Sequence, residues 1–190
     1  MPQIDAIASD NRPNSNLTEW FAVNVRTGRE HFSVHCLQIR GYEVFFPTYR
    51  HRITWSDRVK IVDKALFPGY LFCHTDPGVT AKIVTAPGVI RIVGNGCRPL
   101  PVAAHELEAV QRIVQTGVTA EPSSPLDVGD RVLIQAGPLR GIEGALLIAK
   151  NRYRLVVSIS LLGRAVNAEI DSSWLAASSG LPAGEANARG

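Results

Sequence analysis

Phe67-Pro68-Gly69-Tyr70-Leu71-Phe72 is the stretch that decides how this chain is read. Pro68 fixes its own φ and Gly69 admits φ > 0, so the pair makes a tight turn that feeds a strand. Phe67, Tyr70 and Phe72 then place large apolar surface at a chain reversal, where it serves as core or as a binding face. The strand, residues 69–74, is apolar throughout and reads as buried on both faces.

The flanks organise around that turn. Residues 17–25 carry β-branched and aromatic side chains closed by Thr27-Gly28, the pattern of a first strand. Residues 30–39 place apolar side chains at 32, 34, 37 and 39 with Gly41 just beyond, which predicts an amphipathic helix with a glycine end. A strand over 42–46 is stopped by Pro47, and 49–55 with 59–66 form the arms of a hairpin around Ser56-Asp57. Asp76-Pro77 opens a short helix that ends before Pro87-Gly88; 89–93 is a strand. A helix over 103–114 sets Leu107, Val110 and Ile113 on one stripe. This order predicts an α+β fold, helices covering a mostly antiparallel sheet.

Residues 117–125, Gly-Val-Thr-Ala-Glu-Pro-Ser-Ser-Pro, read as a linker with a flexible span of roughly 15–18 Å. From 126 to 175 the pattern changes to short strands over 131–135, 144–149, 153–160 and 165–170, punctuated by glycines. Such spacing predicts a small antiparallel barrel. The expected organisation is a disordered tail over 1–16, a first domain over 17–116, the linker 117–125, a barrel over 126–175 and a second disordered tail over 176–190.

Composition narrows the function classes. The chain has 190 residues, 45% hydrophobic and 19% charged, as globular proteins do. No apolar run reaches the ~20 residues of a membrane span, and the polar start is no signal peptide. Arg26, Arg29, Arg40, Arg50, Arg52, Arg58, Lys60 and Lys64 cluster between positions 26 and 64, interleaved with Phe32, Tyr42, Phe45, Phe46, Tyr49 and Trp55. That mixture suits nucleic-acid contact or a solvated basic face. Cys36, Cys73 and Cys97 are three, distant and without a C-x-x-C pair, which fits a reducing cytosol and neither a disulfide framework nor a zinc site. No phosphate-binding loop, nucleophile elbow or H-E-x-x-H motif occurs, and the histidines pair with no nucleophile. No catalytic residue, metal or cofactor is expected.

Together the motifs resemble a family. Trp20-Phe21-Ala22-Val23, Gly28 with Glu30, Phe46-Pro47, Phe67-Pro68-Gly69-Tyr70, Pro87-Gly88-Val89, Val93-Gly94 and Pro101 are similar to the N-terminal (NGN) domain of NusG-type transcription elongation factors. Gly129-Asp130-x-Val132, Gly137-Pro138-Leu139-x-Gly141-x-x-Gly144, Leu161-Leu162-Gly163-Arg164-Ala165 and Glu169-Ile170-Asp171 resemble the family's KOW domain, an SH3-like β-barrel. The likeness covers about residues 18 to 175. Arg52, Trp55-Ser56-Asp57-Arg58 and Leu71-Phe72-Cys73 look most like the UpxY-like branch of specialised antiterminators.

The resemblance implies a monomer whose first domain docks on the β′ clamp helices of RNA polymerase and touches non-template DNA in the bubble. Pausing falls and read-through of terminators rises, on selected operons. The implied polymerase contacts are Phe67, Pro68, Tyr70 and Phe72, an exposed aromatic patch, with Phe46 and Trp20 as supporting core. The implied DNA contacts are Arg26 and Arg29, then Arg52, Arg58 and Lys60; Lys82 lies near a loop that meets the opposite polymerase jaw. In the barrel, Leu161, Leu162 and Arg164 occupy the loop with which relatives bind a small-ribosomal-subunit protein or Rho. Leu162 replaces the family's usual aromatic there, which weakens the expectation of either partner. Two other readings stay open: a housekeeping member acting with Rho and the ribosome, and a ribosomal KOW-type RNA-binding protein.

Overall fold

The computed structural model describes residues 18–54, 58–96, 98–123, 130–149 and 152–175. Both tails, Trp55-Ser56-Asp57 and Gly129 lie outside the described residues, so the expectations placed on them are not taken further.

The first part is built on four antiparallel strands, β1 (Glu19–Val25), β2 (Glu43–Phe45), β5 (Tyr70–Thr75) and β6 (Val89–Ile92), in the order β2-β5-β1-β6. Side chains alternate across this sheet, as strand geometry requires. Val23, Val25, Leu71 and Cys73 pack with Leu37 of α1 (Glu30–Ile39) and Ile83 of α2 (Thr80–Val84). Ala22 and Phe72 point to the other face, where Leu107, Val110 and Ile113 of α3 (Ala104–Thr116) cover them. The stripe expected on α3 is therefore its buried face. Asp76 caps the helical turn before α2, its Oδ1 accepting from the Gly78 N–H at 2.7 Å. The α+β sandwich expected for this part is what folds.

The hairpin forms too. β3 (Thr48–Thr54) and β4 (Val59–Ala65) pair from Thr48 with Ala65 to Thr54 with Val59, as a two-stranded sheet of their own.

The second part is a five-stranded antiparallel sheet in the order β7-β11-β10-β9-β8. Its strands are β7 (Ala120–Ser123), β8 (Asp130–Leu133), β9 (Glu143–Ala149), β10 (Arg152–Ile159) and β11 (Arg164–Ile170). A bridge between Ile134 and Leu175 draws the segment after β11 back toward β8. One expectation needs correction here. The stretch 117–125 is not all tether: Ala120–Ser123 pairs with β11, Glu121 opposite Asn167. Residues 117–119 are what remains between α3 and the sheet.

Gly144 opens β9 against β10. A methyl group there would stand 2.5 Å from the Val156 carbonyl oxygen and 2.8 Å from Leu155 Cδ1. Gly144→Ala should therefore destabilise the barrel by about 1–3 kcal/mol, as overpacking does, and lower the denaturant midpoint. An unchanged midpoint would mean that β9 and β10 separate at little cost.

Candidate functional site

The Phe67–Tyr70 turn is held from three sides. Tyr70 N–H donates to the Phe67 carbonyl at 3.0 Å, closing the turn. Gly69 sits at φ +79°, open to glycine and costly for other residues. Its carbonyl accepts from the Val25 N–H at 2.9 Å and from Asn24 Nδ2 at 3.0 Å. Its N–H donates to the buried carboxylate of Glu30 at 3.2 Å, in the first turn of α1. The sequence reading marked Glu30 without a role; its place under the turn supplies one.

The aromatic cluster follows from the pleat. Phe67 and Phe72 meet edge to face at 5.6 Å between ring centroids, and Phe45 lies 6.1 Å from Phe72. Trp20 stacks on His74 at 4.8 Å and stands edge-on to Phe45 at 6.4 Å. All of these lie on the α3 side of the sheet. Phe46 does not: it packs with the α1 layer, its ring 5.0 Å from His31. The six residues expected at the polymerase contact thus divide between two layers, because Phe45 and Phe46 are successive and point opposite ways.

The exposed patch expected from the sequence is covered in this state. Phe67 is 1% and Phe72 0% exposed, Tyr70 is half-buried, and Pro68 is exposed. α3 and the second domain share the core into which they pack. Ile134, Leu139, Leu155 and Ile159 of the barrel join Phe67, Phe72, Leu107 and Ile113 in one continuous core. Leu161 and Leu162, both half-buried, pack against it, and the exposed Arg164 places its guanidinium carbon 5.1 Å from the Tyr70 ring centroid. That distance is within cation–π range. The two contact loops expected from the sequence, one in each domain, therefore face each other.

Polar groups fasten this arrangement. Glu106 in the first turn of α3 accepts from Ser160 Oγ at 2.5 Å and from the Ser160 N–H at 3.1 Å. Arg112 donates to the Pro138 carbonyl at 3.2 Å. Beside them a cleft of about 630 Å³ opens between α3 and β8–β10, lined by Glu106, Glu108, Arg112, Arg131 and Glu143. The contact is thus apolar at its centre and charged at its margin, like an interface between separable domains.

The basic residues fall in two places. Arg26 follows β1 and Arg29 precedes α1; both are exposed and line a cleft of about 330 Å³ with Phe32, Pro87, Gly88 and Ile90. Arg52, Arg58 and Lys60 lie apart from them, all exposed, on or beside the β3–β4 hairpin. Lys82, also exposed, is in α2, where its carbonyl accepts from Arg40 Nη1 at 3.3 Å.

Burial pushes the Cys73 thiol up to about 12, which keeps it protonated and inert. No group of three metal-ligating side chains comes together among the described residues. No helix there is long and apolar enough to cross a membrane.

The comparisons with known proteins agree with this geometry. Residues 18–111 match the family model described as transcription termination factor nusG. The transcription termination/antitermination protein NusG of Thermus thermophilus is 27% identical over 178 residues, spanning 82% of this chain and 96% of its own. The Escherichia coli K12 protein of the same name is 26% identical over 168 residues, spanning 81% and 93%. The chain is similar to the NusG family. Its fold is similar to that of a solved Thermotoga maritima NusG structure described by its domain interaction, with a TM-score of 0.54 at 21% identity over 84% of this chain and 96% of that one. The NusG-like part runs from β1 into α3, and the separate five-stranded sheet is consistent with a KOW barrel.

Proposed function

We propose that this chain is a NusG-family elongation factor that binds the RNA polymerase clamp through the sheet face carrying Tyr70, and that it suppresses pausing and termination. The observation that carries this reading is the Phe67–Tyr70 turn. It is fixed by Asn24, Val25 and Glu30, and it holds aromatic surface on one side of a rigid sheet. An apolar face of that kind suits an amphipathic helix laid into a groove. Tyr70 and Pro68 make the contact. Phe67, Phe72 and Trp20 shape the surface from beneath, and Phe46 supports the opposite layer.

The described state is closed. The barrel lies over the face that would receive the clamp, so docking requires the barrel to swing away on residues 117–119. Two domains, 17–116 and 120–175, then act as separate bodies. Leu161, Leu162 and Arg164 become free for a second partner, a small-ribosomal-subunit protein or Rho, only after opening.

Arg26 and Arg29 meet the non-template strand. Two cations beside the exposed Phe32 form a surface for phosphate and base together. Arg26→Ala with Arg29→Ala should reduce the salt dependence of single-strand binding by about 0.7 per lost phosphate contact. An unchanged slope would return both residues to solvated surface.

Action on selected operons, as in the UpxY-like branch, is the finer reading. Run-off transcription past a pause and a Rho-dependent terminator tests it: increased read-through supports the specialised antiterminator, and increased termination indicates the housekeeping role.

A further inference from the structure

We infer that the outer face of α1, with α2 and β6 beside it, is a docking surface for an acidic amphipathic helix of a partner protein. This layer lies on the side of the sheet opposite Tyr70 and the barrel, so it is open even in the closed state.

The two faces of α1 come first. Ser33 and Leu37 are buried, with Val34 beside them, against the sheet. The other face of such a helix should be polar, as it is on α3, where His105, Glu108, Gln115 and Thr116 meet water. On α1 it is not. Phe32, Cys36 and Ile39 stand at i, i+4 and i+7, one stripe turned away from Leu37. Phe32 is 47% and Ile39 72% exposed. The apolar positions read from the sequence as one face therefore divide, 34 and 37 inward, 32 and 39 outward. A helix apolar on both sides is normally covered on both, and this chain covers one.

The neighbours extend the stripe. Ile90 of β6 is 56% exposed and lines a cleft with Phe32, and Val84 of α2 is 42% exposed. Half of the eight large apolar side chains exposed among the described residues thus lie on this one layer, which sets them apart from singly scattered surface residues.

Charge selects the partner. Residues 31–42 and 77–96 contain no Asp or Glu. Arg40, Lys82, His31 and His35 are exposed there, with Arg26 and Arg29 at the Phe32 end. Glu30 is buried and holds the Gly69 N–H, and Asp76 is half-buried and occupied by the Gly78 N–H. An apolar stripe bordered by cations without carboxylates complements an apolar stripe bordered by carboxylates.

The surface is also held in shape. Arg40 clasps the two helices: Nη1 donates to Thr85 Oγ1 at 3.0 Å and to the Lys82 carbonyl at 3.3 Å, and Nη2 to the Thr85 carbonyl at 3.2 Å. From Phe32 to Ile39 is about 10 Å, two helical turns. That matches the i to i+7 spacing of anchors on a docked helix. A nucleic acid would use the cations but leave Ile39 and Val84 wet, because bases stack on rings and these members are aliphatic. A second copy of this chain would set cation against cation. A clasped, fixed face suits a folded partner better than a fluid lipid surface.

Fluorescence anisotropy tests this with the full chain and a labelled peptide of about 15 residues, four turns, with leucines at i, i+3, i+4 and i+7 and glutamates beside them. The peptide should bind, and a scrambled peptide of the same composition should bind at least ~10-fold more weakly. Ile39→Gln, which removes the exposed anchor and keeps a good helix former, should also weaken binding at least ~10-fold. Lys82→Ala should weaken it less and flatten its salt dependence. Tyr70→Ala and Glu106→Ala should leave it unchanged, because both lie on the other side of the sheet. If circular dichroism shows Ile39→Gln misfolded, Val84→Gln takes its place. The inference is overturned if the peptide does not bind, if the scrambled peptide binds as well, or if the folded variant keeps wild-type affinity. It is overturned too if Ile39→Gln weakens binding of a single-stranded oligonucleotide or of phosphatidylserine vesicles as much as that of the peptide, which would assign the face to those. No polymerase is present in the assay, so failure of the clamp reading leaves this result intact.

Discussion

Phe72→Ala is expected to destabilise the first domain by about 3–5 kcal/mol, the range for deleting a buried aromatic ring. Phe72 is 0% exposed in the middle of β5, between Phe45 and Phe67, and it packs in the core that both domains share. Against a total stability of roughly 5–15 kcal/mol, that loss leaves little margin at physiological temperature. Thermal or denaturant unfolding would measure it. A loss below 1 kcal/mol would mean that the surrounding rings collapse into the space. The consequence for function is practical: loss of polymerase binding by Phe72→Ala would report unfolding as readily as a lost contact.

Tyr70 and Glu106 supply a cleaner pair, because their substitutions should act in opposite directions. Tyr70 is half-buried at the edge of the same surface, where Arg164 sits over its ring. Removing an aromatic anchor from an interface costs about 2 kcal/mol or more where it is a hot spot. Tyr70→Ala should therefore weaken polymerase binding at least ~30-fold while the fold persists. Glu106 touches the barrel through Ser160 and is not part of the face under the barrel. Glu106→Ala removes two hydrogen bonds that exist only in the closed state. At this partly exposed site they are worth about 1–1.5 kcal/mol together, so closure should weaken and polymerase affinity should rise by up to ~10-fold. Titration of labelled polymerase with each variant reads both effects. A fall in affinity with Glu106→Ala would place the docking surface on α3 instead.

The first domain was legible because its punctuation is strong. Pro47, Pro68-Gly69, Asp76-Pro77 and Pro87-Gly88 mark the ends of elements whose apolar periods are clear. β7 was not legible. Glu121-Pro122-Ser123 reads as linker, and it forms a strand only because it lies at the sheet edge, where proline costs no ladder bond that matters. The turn that builds the candidate site was readable from Phe67 to Phe72. The packing of the barrel against this face was not, since it depends on long-range pairs such as Glu106 and Ser160, 54 positions apart. The division of Phe46 from the other aromatics could have been read from the pleat, because Phe45 and Phe46 are adjacent. The charge on the hairpin was visible in the sequence; its separation from Arg26 and Arg29 was not.

The most direct test of the central claim is retention of the full chain on purified cognate core RNA polymerase, with Tyr70→Ala and Glu106→Ala run beside it. The account predicts binding by the wild type, stronger binding by Glu106→Ala and little by a folded Tyr70→Ala. Equal retention of a folded Tyr70→Ala, or no retention of the wild type and Glu106→Ala alike, would contradict it.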